Sequence, residues 1–143
     1  MNTLEINNVM NNIECFKGTF AKDLLPKKVY KDRPIGFIIN TDNSNKPGSH
    51  WVALFIDENN NAEYFDSFGI FPICCEIYKL LRINNVKKFS FNKNQIQSIF
   101  SKNCGIFCIL YLKMRCNNFT LKEFINIFSD KLTLNDEIVT EIL

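Results

Sequence analysis

A chain of 143 residues, 46% hydrophobic and 22% charged, has the size and balance of a single globular domain, 1–143. Its net charge of +2 is too small to argue for nucleic acid by itself. No stretch approaches the ~20 apolar residues of a membrane span, and Met1 to Met10 carries Asn and Glu where a signal peptide has a basic start and an apolar run. The expected setting is therefore reducing, with all six cysteines as free thiols.

Leu4, Val9, Met10, Ile13 and Phe16 recur at roughly helical spacing and predict an amphipathic helix over residues 3–15. Residues 17–34 read as irregular, with Pro26 and Pro34 as breakers. Ile35 to Asn40 is an apolar strand and Thr41 to Ser49 a polar loop. Trp51 to Asp57 is nearly all apolar, as a strand buried on both faces would be. Glu58 to Asn61 is a turn, and Ala62 to Asp66 returns to complete a hairpin. Pro72 fits the first turn of a helix running to about Arg82, and Lys87 to Phe91 alternates like an edge strand. Residues 104–116 form a strongly apolar, central helix. Thr120 and Glu123 make a capping box for a helix over 121–129, and a short last helix covers 135–142. The fold class is α+β: a small, partly antiparallel sheet with helices packed around it.

The one histidine, His50, ends a polar loop and precedes a buried strand, which places an imidazole at the rim of the sheet. Taken alone it is an ordinary surface-loop histidine. With the hairpin turn at 58–61, however, Trp51 lies across from Phe65 or Asp66, so His50 and Asp66 share one end of adjacent strands. A carboxylate there can accept the Nδ1–H of the imidazole and fix its tautomer. The competing reading of Asp66-Ser67-Phe68-Gly69 is turn chemistry.

Cys104 opens the apolar helix, where unpaired N–H groups and the dipole favour a thiolate. Gly105 lets the backbone come close to a substrate carbonyl. Cys108 lies one turn further along the apolar face and reads as core. Gln97, seven residues before Cys104, can donate its side-chain amide to a developing oxyanion beside the Cys104 N–H; Gln95 competes for that role on chemistry alone. Cys104 with Cys108, and Cys74 with Cys75, lack the paired spacing of a zinc site, so neither metal nor cofactor is expected.

Gly48-Ser49-His50-Trp51, Tyr64-Phe65-Asp66-Ser67-Phe68-Gly69, and Gln97 followed by Asn103-Cys104-Gly105-Ile106-Phe107-Cys108 resemble the adenovirus-type endopeptidases. These share a clan of cysteine peptidases with the Ulp1-like SUMO proteases. Gly18-Thr19-Phe20 and the strand from Ile35 extend the likeness over residues 14–116. The resemblance implies a central mixed sheet, with the nucleophilic Cys on a buried helix and the His on a strand. It implies cleavage of polypeptides at Gly-containing sites, in the viral branch of capsid and core precursor proteins during maturation, within the virion and the infected cell. Trp51 is then one wall of a narrow subsite. Abundant Asn, Ile, Lys and Phe, whose codons are AT-rich, suit a virus or virophage. The alternatives are a SUMO- or ubiquitin-like-protein peptidase and an inactive binding relative. The adenoviral enzyme has Glu where this chain has Asp66, and is activated by a disulfide-linked peptide at a position filled here by Val86. Any activator is therefore expected to bind a monomeric enzyme non-covalently. The basic cluster Lys87, Lys88 and Lys93 leaves DNA as a salt-sensitive partner to be tested.

Overall fold

The computed structural model describes residues 1–143. In chain order the elements are α1 (Thr3–Met10), β1 (Phe16–Ala21), a 3₁₀ turn (Lys22–Leu24), β2 (Ile35–Asn40), β3 (Trp51–Ile56), β4 (Asn61–Phe65), α2 (Cys75–Ile83), β5 (Lys88–Phe91), α3 (Cys104–Cys116), α4 (Leu121–Ile125) and α5 (Leu132–Ile142). The strands form one mixed sheet in the order β1-β2-β3-β4-β5. The two inner junctions, β2 with β3 and β3 with β4, are antiparallel; the outer pairs, β1 with β2 and β4 with β5, are parallel.

Every residue of β2 and β3 is buried, because both faces of the sheet are covered. Side chains alternate between two cores, as the strand period of two dictates. Ile38, Ala53, Phe55 and Phe65 meet α3 together with Ile6, Met10, Phe124 and Val139 from the other helices of that side. Phe37, Ile39, Val52, Leu54 and Tyr64 meet Ile77, Leu80 and Leu81 of α2. Helix α3 is nearly all apolar because it lies between the sheet and α1, α4 and α5. Its Tyr111 stacks on Phe65 at 4.6 Å and donates to the Glu63 carboxylate, which Arg115 also pairs at 3.0 Å.

Several expectations need correction. Residues 16–21 form strand β1, not irregular chain; a register irregularity between Phe16 and Thr19, with Gly18 at φ +138°, breaks the alternation that would have marked it. Helix α1 stops at Met10, under a capping box of Asn2 and Glu5. Helix α2 starts three residues after Pro72, which therefore lies outside its first turn. The Thr120–Glu123 capping box forms as expected, but its helix ends at Ile125, and α5 begins at Leu132. Cys15 and Cys116 are not free thiols: they form a disulfide joining the chain just before β1 to the last residue of α3, with 5.9 Å between the Cα atoms. Compartment arguments cannot foresee a pairing made by tertiary proximity across a sequence separation of 101. Cys74, Cys75, Cys104 and Cys108 are free. No helix is long and apolar enough to cross a membrane.

Candidate active site

The ends of β3, β4 and α3 converge on one rim of the sheet. His50 immediately precedes β3, Asp66 immediately follows β4, and Cys104 is the first residue of α3. The hairpin register pairs Ala53 with Phe65, so Asp66 lies beyond the last paired residue rather than opposite Trp51. The imidazole and carboxylate nonetheless meet, at 2.8 Å. The nitrogen that meets Asp66 is Nε2, not the expected Nδ1. Cys104 is the second group acting on the ring, and together with Asp66 it favours the imidazolium. Phe68 stacks on the imidazole at 4.9 Å and limits its tilt.

Asp66 is buried and takes part in the histidine contact and in the turn at once. Its Oδ1 takes the His50 contact and also accepts the Phe68 N–H at 2.8 Å, while Gly69 N–H closes the turn onto Asp66 O at 2.8 Å. Gly69 has φ +70°, and a Cβ there would come within 2.9 Å of the backbone of Lys93 and Asn94. Glycine is thus required by both conformation and space.

Cys104 is buried, and the start of its helix has no side-chain cap, so its N–H groups remain available. Burial pushes the thiol up. The hydrogen bond with His50, the Trp51 backbone N–H, the imidazolium charge and the Gly105 N–H outweigh it and bring Cys104 below its ordinary range. For His50, burial favours the neutral ring, but the hydrogen bonds and charges of Asp66 and Cys104 raise it from 6.5 to about 9. The two shifts describe one imidazolium–thiolate pair. Cys108, wholly buried one turn inward, is pushed well above its ordinary value and is inert core, as its position on the apolar face suggested. Burial likewise raises Cys74.

Gln97 is buried, and its amide orientation is settled by its partners. Nε2 donates to the Ser101 carbonyl at 2.9 Å, an atom that can only accept, and Oε1 takes the Ser67 hydroxyl. Ser67 is wholly buried, and its carbonyl accepts the N–H groups of Ile96 and Gln97. Gln95 is exposed and donates its side-chain amide to the Gln97 carbonyl at 3.1 Å. Gly105 serves Trp51: a Cβ would stand 3.2 Å from the indole, which crosses that point. The indole Nε1 in turn donates to Met1 O at 3.0 Å. His50, Trp51, Phe68, Gln97, Ser101 and Cys104 line a cleft of about 640 Å³, whereas Gly105 is not among its lining residues. Sequence reasoning missed Ser67, Phe68 and Ser101 as parts of the site; each stands within four residues of a residue it did single out.

This arrangement can deliver a thiolate to an electrophilic carbonyl and a proton to the departing group. Residues 16–133 match the adenovirus endoprotease family model. The chain belongs to that family. A protein of African swine fever virus (isolate Pig/Kenya/KEN-50/1950) named as a SUMO-1 cysteine protease is 28% identical in an alignment that covers 83% of this chain and 48% of the relative. A protein of Acanthamoeba polyphaga mimivirus named as a candidate thiol protease is 33% identical over 71% of this chain and 35% of its own length. The chain thus spans about half the length, or less, of these curated relatives. The crystal structure of the African swine fever virus protease superposes on 96% of this chain and 65% of its own, with a TM-score of 0.64 at 18% identity. ChlaDub1 of Chlamydia trachomatis superposes on 76%, with a TM-score of 0.51 at 18% identity, so it shares the fold.

Proposed function

We propose that this chain is a cysteine endopeptidase that cuts viral structural or core precursor proteins at Gly-containing sites during maturation, in the virion and the infected cell. The observation that carries the reading is the convergence of Asp66, His50 and Cys104 on one rim of the sheet, with His50 against Asp66 at 2.8 Å and His50 and Cys104 lining one cleft. In this mechanism the Cys104 thiolate attacks the scissile carbonyl carbon, and the π electrons move to oxygen. The oxyanion is held by the Cys104 N–H and by Gln97 Nε2, which keeps its bond to the Ser101 carbonyl and exchanges its longer 3.4 Å contact with the Ser101 hydroxyl for the oxyanion. His50 imidazolium gives its proton to the leaving nitrogen as the C–N bond breaks, leaving a thioester. Water, losing a proton to His50, then attacks the thioester; collapse releases the carboxylic acid and regenerates the pair. Asp66 holds the ring and stabilises its charge throughout. Trp51 and Phe68 line the cleft beside His50 and suit a small acyl-side residue.

The test is cleavage of the precursor proteins encoded by the same genome, with the cut sites sequenced. Cys104→Ala should abolish cleavage, and Gly on the acyl side should be preferred strongly to Leu or Phe. A fully active Cys104→Ala variant would remove the peptidase reading, and equal rates for Gly and Leu would remove the specificity. A second reading, peptidase of SUMO- or ubiquitin-like proteins, is favoured by the name of the swine fever virus relative. Folded ubiquitin-like substrates in the same panel decide between the two. Failure of Cys104 to label faster than the other thiols would favour an inactive binding relative.

Activation belongs to the same proposal. Val86 is partly buried against the α2-side core, Cys15 is occupied by Cys116, Cys74 is buried, and Cys75, free and exposed, opens α2 away from the position of Val86 in the chain. Any activating peptide or DNA therefore binds without a covalent bond at the adenoviral position. The isolated chain should cleave on its own, and stimulation by DNA should fade with salt.

A further inference from the structure

The ladder between β4 and β5 ends with Tyr64 opposite Phe91. Asp66 lies two residues past that pair, where the ladder no longer supplies a partner for its N–H. Asn92, immediately after β5 and 2% exposed, fills the gap. Its own N–H reaches Tyr64 O at 3.3 Å. Its side-chain Oδ1 accepts the Asp66 N–H at 2.9 Å, and its Nδ2 donates to Asp66 O at 2.6 Å and to Asn94 O at 3.1 Å. One side chain thus bonds both main-chain groups of Asp66, as a further strand residue would: it is the partner of the Asp66 N–H and a second donor, beside the Gly69 N–H, to the Asp66 carbonyl. Only an amide places a donor and an acceptor side by side in this way; a carboxylate cannot donate, and an apolar residue does neither.

We infer that Asn92 is a positioning residue for catalysis, holding the Asp66 main chain so that the carboxylate stays against His50 Nε2. The inference rests on the reading of Asp66 as the orienting acid. Asn92 does not line the cleft, so it acts through Asp66. The Asp66 side chain is short, and its Oδ1 is already shared with the Phe68 N–H, so it has little reach with which to follow a displaced backbone. A displacement of about 1 Å would take the 2.8 Å contact out of hydrogen-bond range, and misplacement on that scale costs about 10²-fold in rate. The titratable groups facing His50 are Asp66 from the end of β4 and Cys104 from α3, with Cys108 behind them facing both. A retreat of Asp66 is therefore felt directly in the protonation of His50.

The test compares Asn92→Ala and the milder Asn92→Ser with wild type, each quantified by active-site titration so that only folded enzyme is counted. The expected result is a fall of tenfold or more in kcat with KM within threefold, together with an alkaline limb of kcat/KM that moves to lower pH. In an Asp66→Asn background the same substitutions should add less than threefold, because the group they position is already gone. Wild-type kcat and an unmoved alkaline limb in the folded variants would overturn the inference, as would an equal loss in the Asp66→Asn background. Should Asn92→Ala yield no folded enzyme, Asn92→Ser decides by the same criteria. If Asp66→Ala itself costs under threefold, the role of Asp66 falls and this inference with it. If Asp66→Ala is severe while the Asn92 variants are silent, only this inference falls.

Discussion

Replacing Asp66 by Asn removes a charge and leaves the shape of the site nearly intact. His50 is held at about 9 instead of 6.5, through the hydrogen bonds and charges of Asp66 and Cys104 working against burial. That difference amounts to about 3 kcal/mol in favour of the imidazolium. The sign follows directly. A histidine whose pKa is raised on folding stabilises the fold fully below about 6.5, and this contribution is lost as pH climbs through about 9. In catalysis the same proton is needed by the leaving nitrogen, so wild-type kcat/KM should decline on a limb near pH 9. In Asp66→Asn the limb should move at least one pH unit down, and the rate at pH 8 should fall about 10²-fold, within the range of a positioned general acid. Rate profiles from pH 5 to 10, run beside alkylation of Cys104 by a neutral reagent, separate the two halves of the pair. Alkylation reports the thiolate, and kcat/KM also requires the imidazolium. An alkaline limb of Asp66→Asn at the wild-type pH would refute the argument.

Three further outcomes are expected. Gln97→Ala should lower kcat by about 10²–10³-fold, the usual worth of an oxyanion donor, whereas Gln95→Ala, at an exposed position, should stay within threefold; equal effects would reverse the assignment. Gly69→Ala should destabilise the chain by about 1–3 kcal/mol in denaturant melts, from the positive φ and the backbone that a Cβ would meet, and a neutral result would show that the turn can relax. The double variant Cys15→Ser with Cys116→Ser should lose about 4–5 kcal/mol relative to the oxidised chain, from the separation of 101 residues that the disulfide closes; unchanged melting would mean that the cross-link forms no lasting constraint.

Much of this could be read from the chain alone, because the information was local. The runs Ile35–Ile39 and Trp51–Ile56 are apolar throughout, as strands of a sheet covered on both faces are. Helix α3 spans the expected 104–116, since its apolar residues leave no polar face to end it early. The hairpin suffices to place His50 and Asp66 at the same end of adjacent strands. What stayed hidden depends on distant partners. Strand β1 is interrupted at its irregularity, and its pairing with β2 is parallel, so no turn announces it. Asn92 stands in a polar run, Asn92 to Gln95, where nothing distinguishes a backbone clamp from a loop residue. Which nitrogen of His50 faces Asp66 is a matter of ring orientation that no spacing encodes.

The Cys15–Cys116 bond borders a cleft together with Asn12, Asp32, Arg33 and Asn117, so a small thiol can reach it. Reductants added to keep Cys104 competent therefore act on two sulfur centres with opposite consequences. At Cys104 they reverse oxidation of the nucleophile; at the far end of the same helix they release it from the start of β1. Activity plotted against thiol concentration should rise and then decline, with the declining part appearing first at elevated temperature. An enzyme assayed under one habitual reducing condition would report a compromise between these effects, and its apparent thermal lifetime would depend on the buffer as much as on the protein.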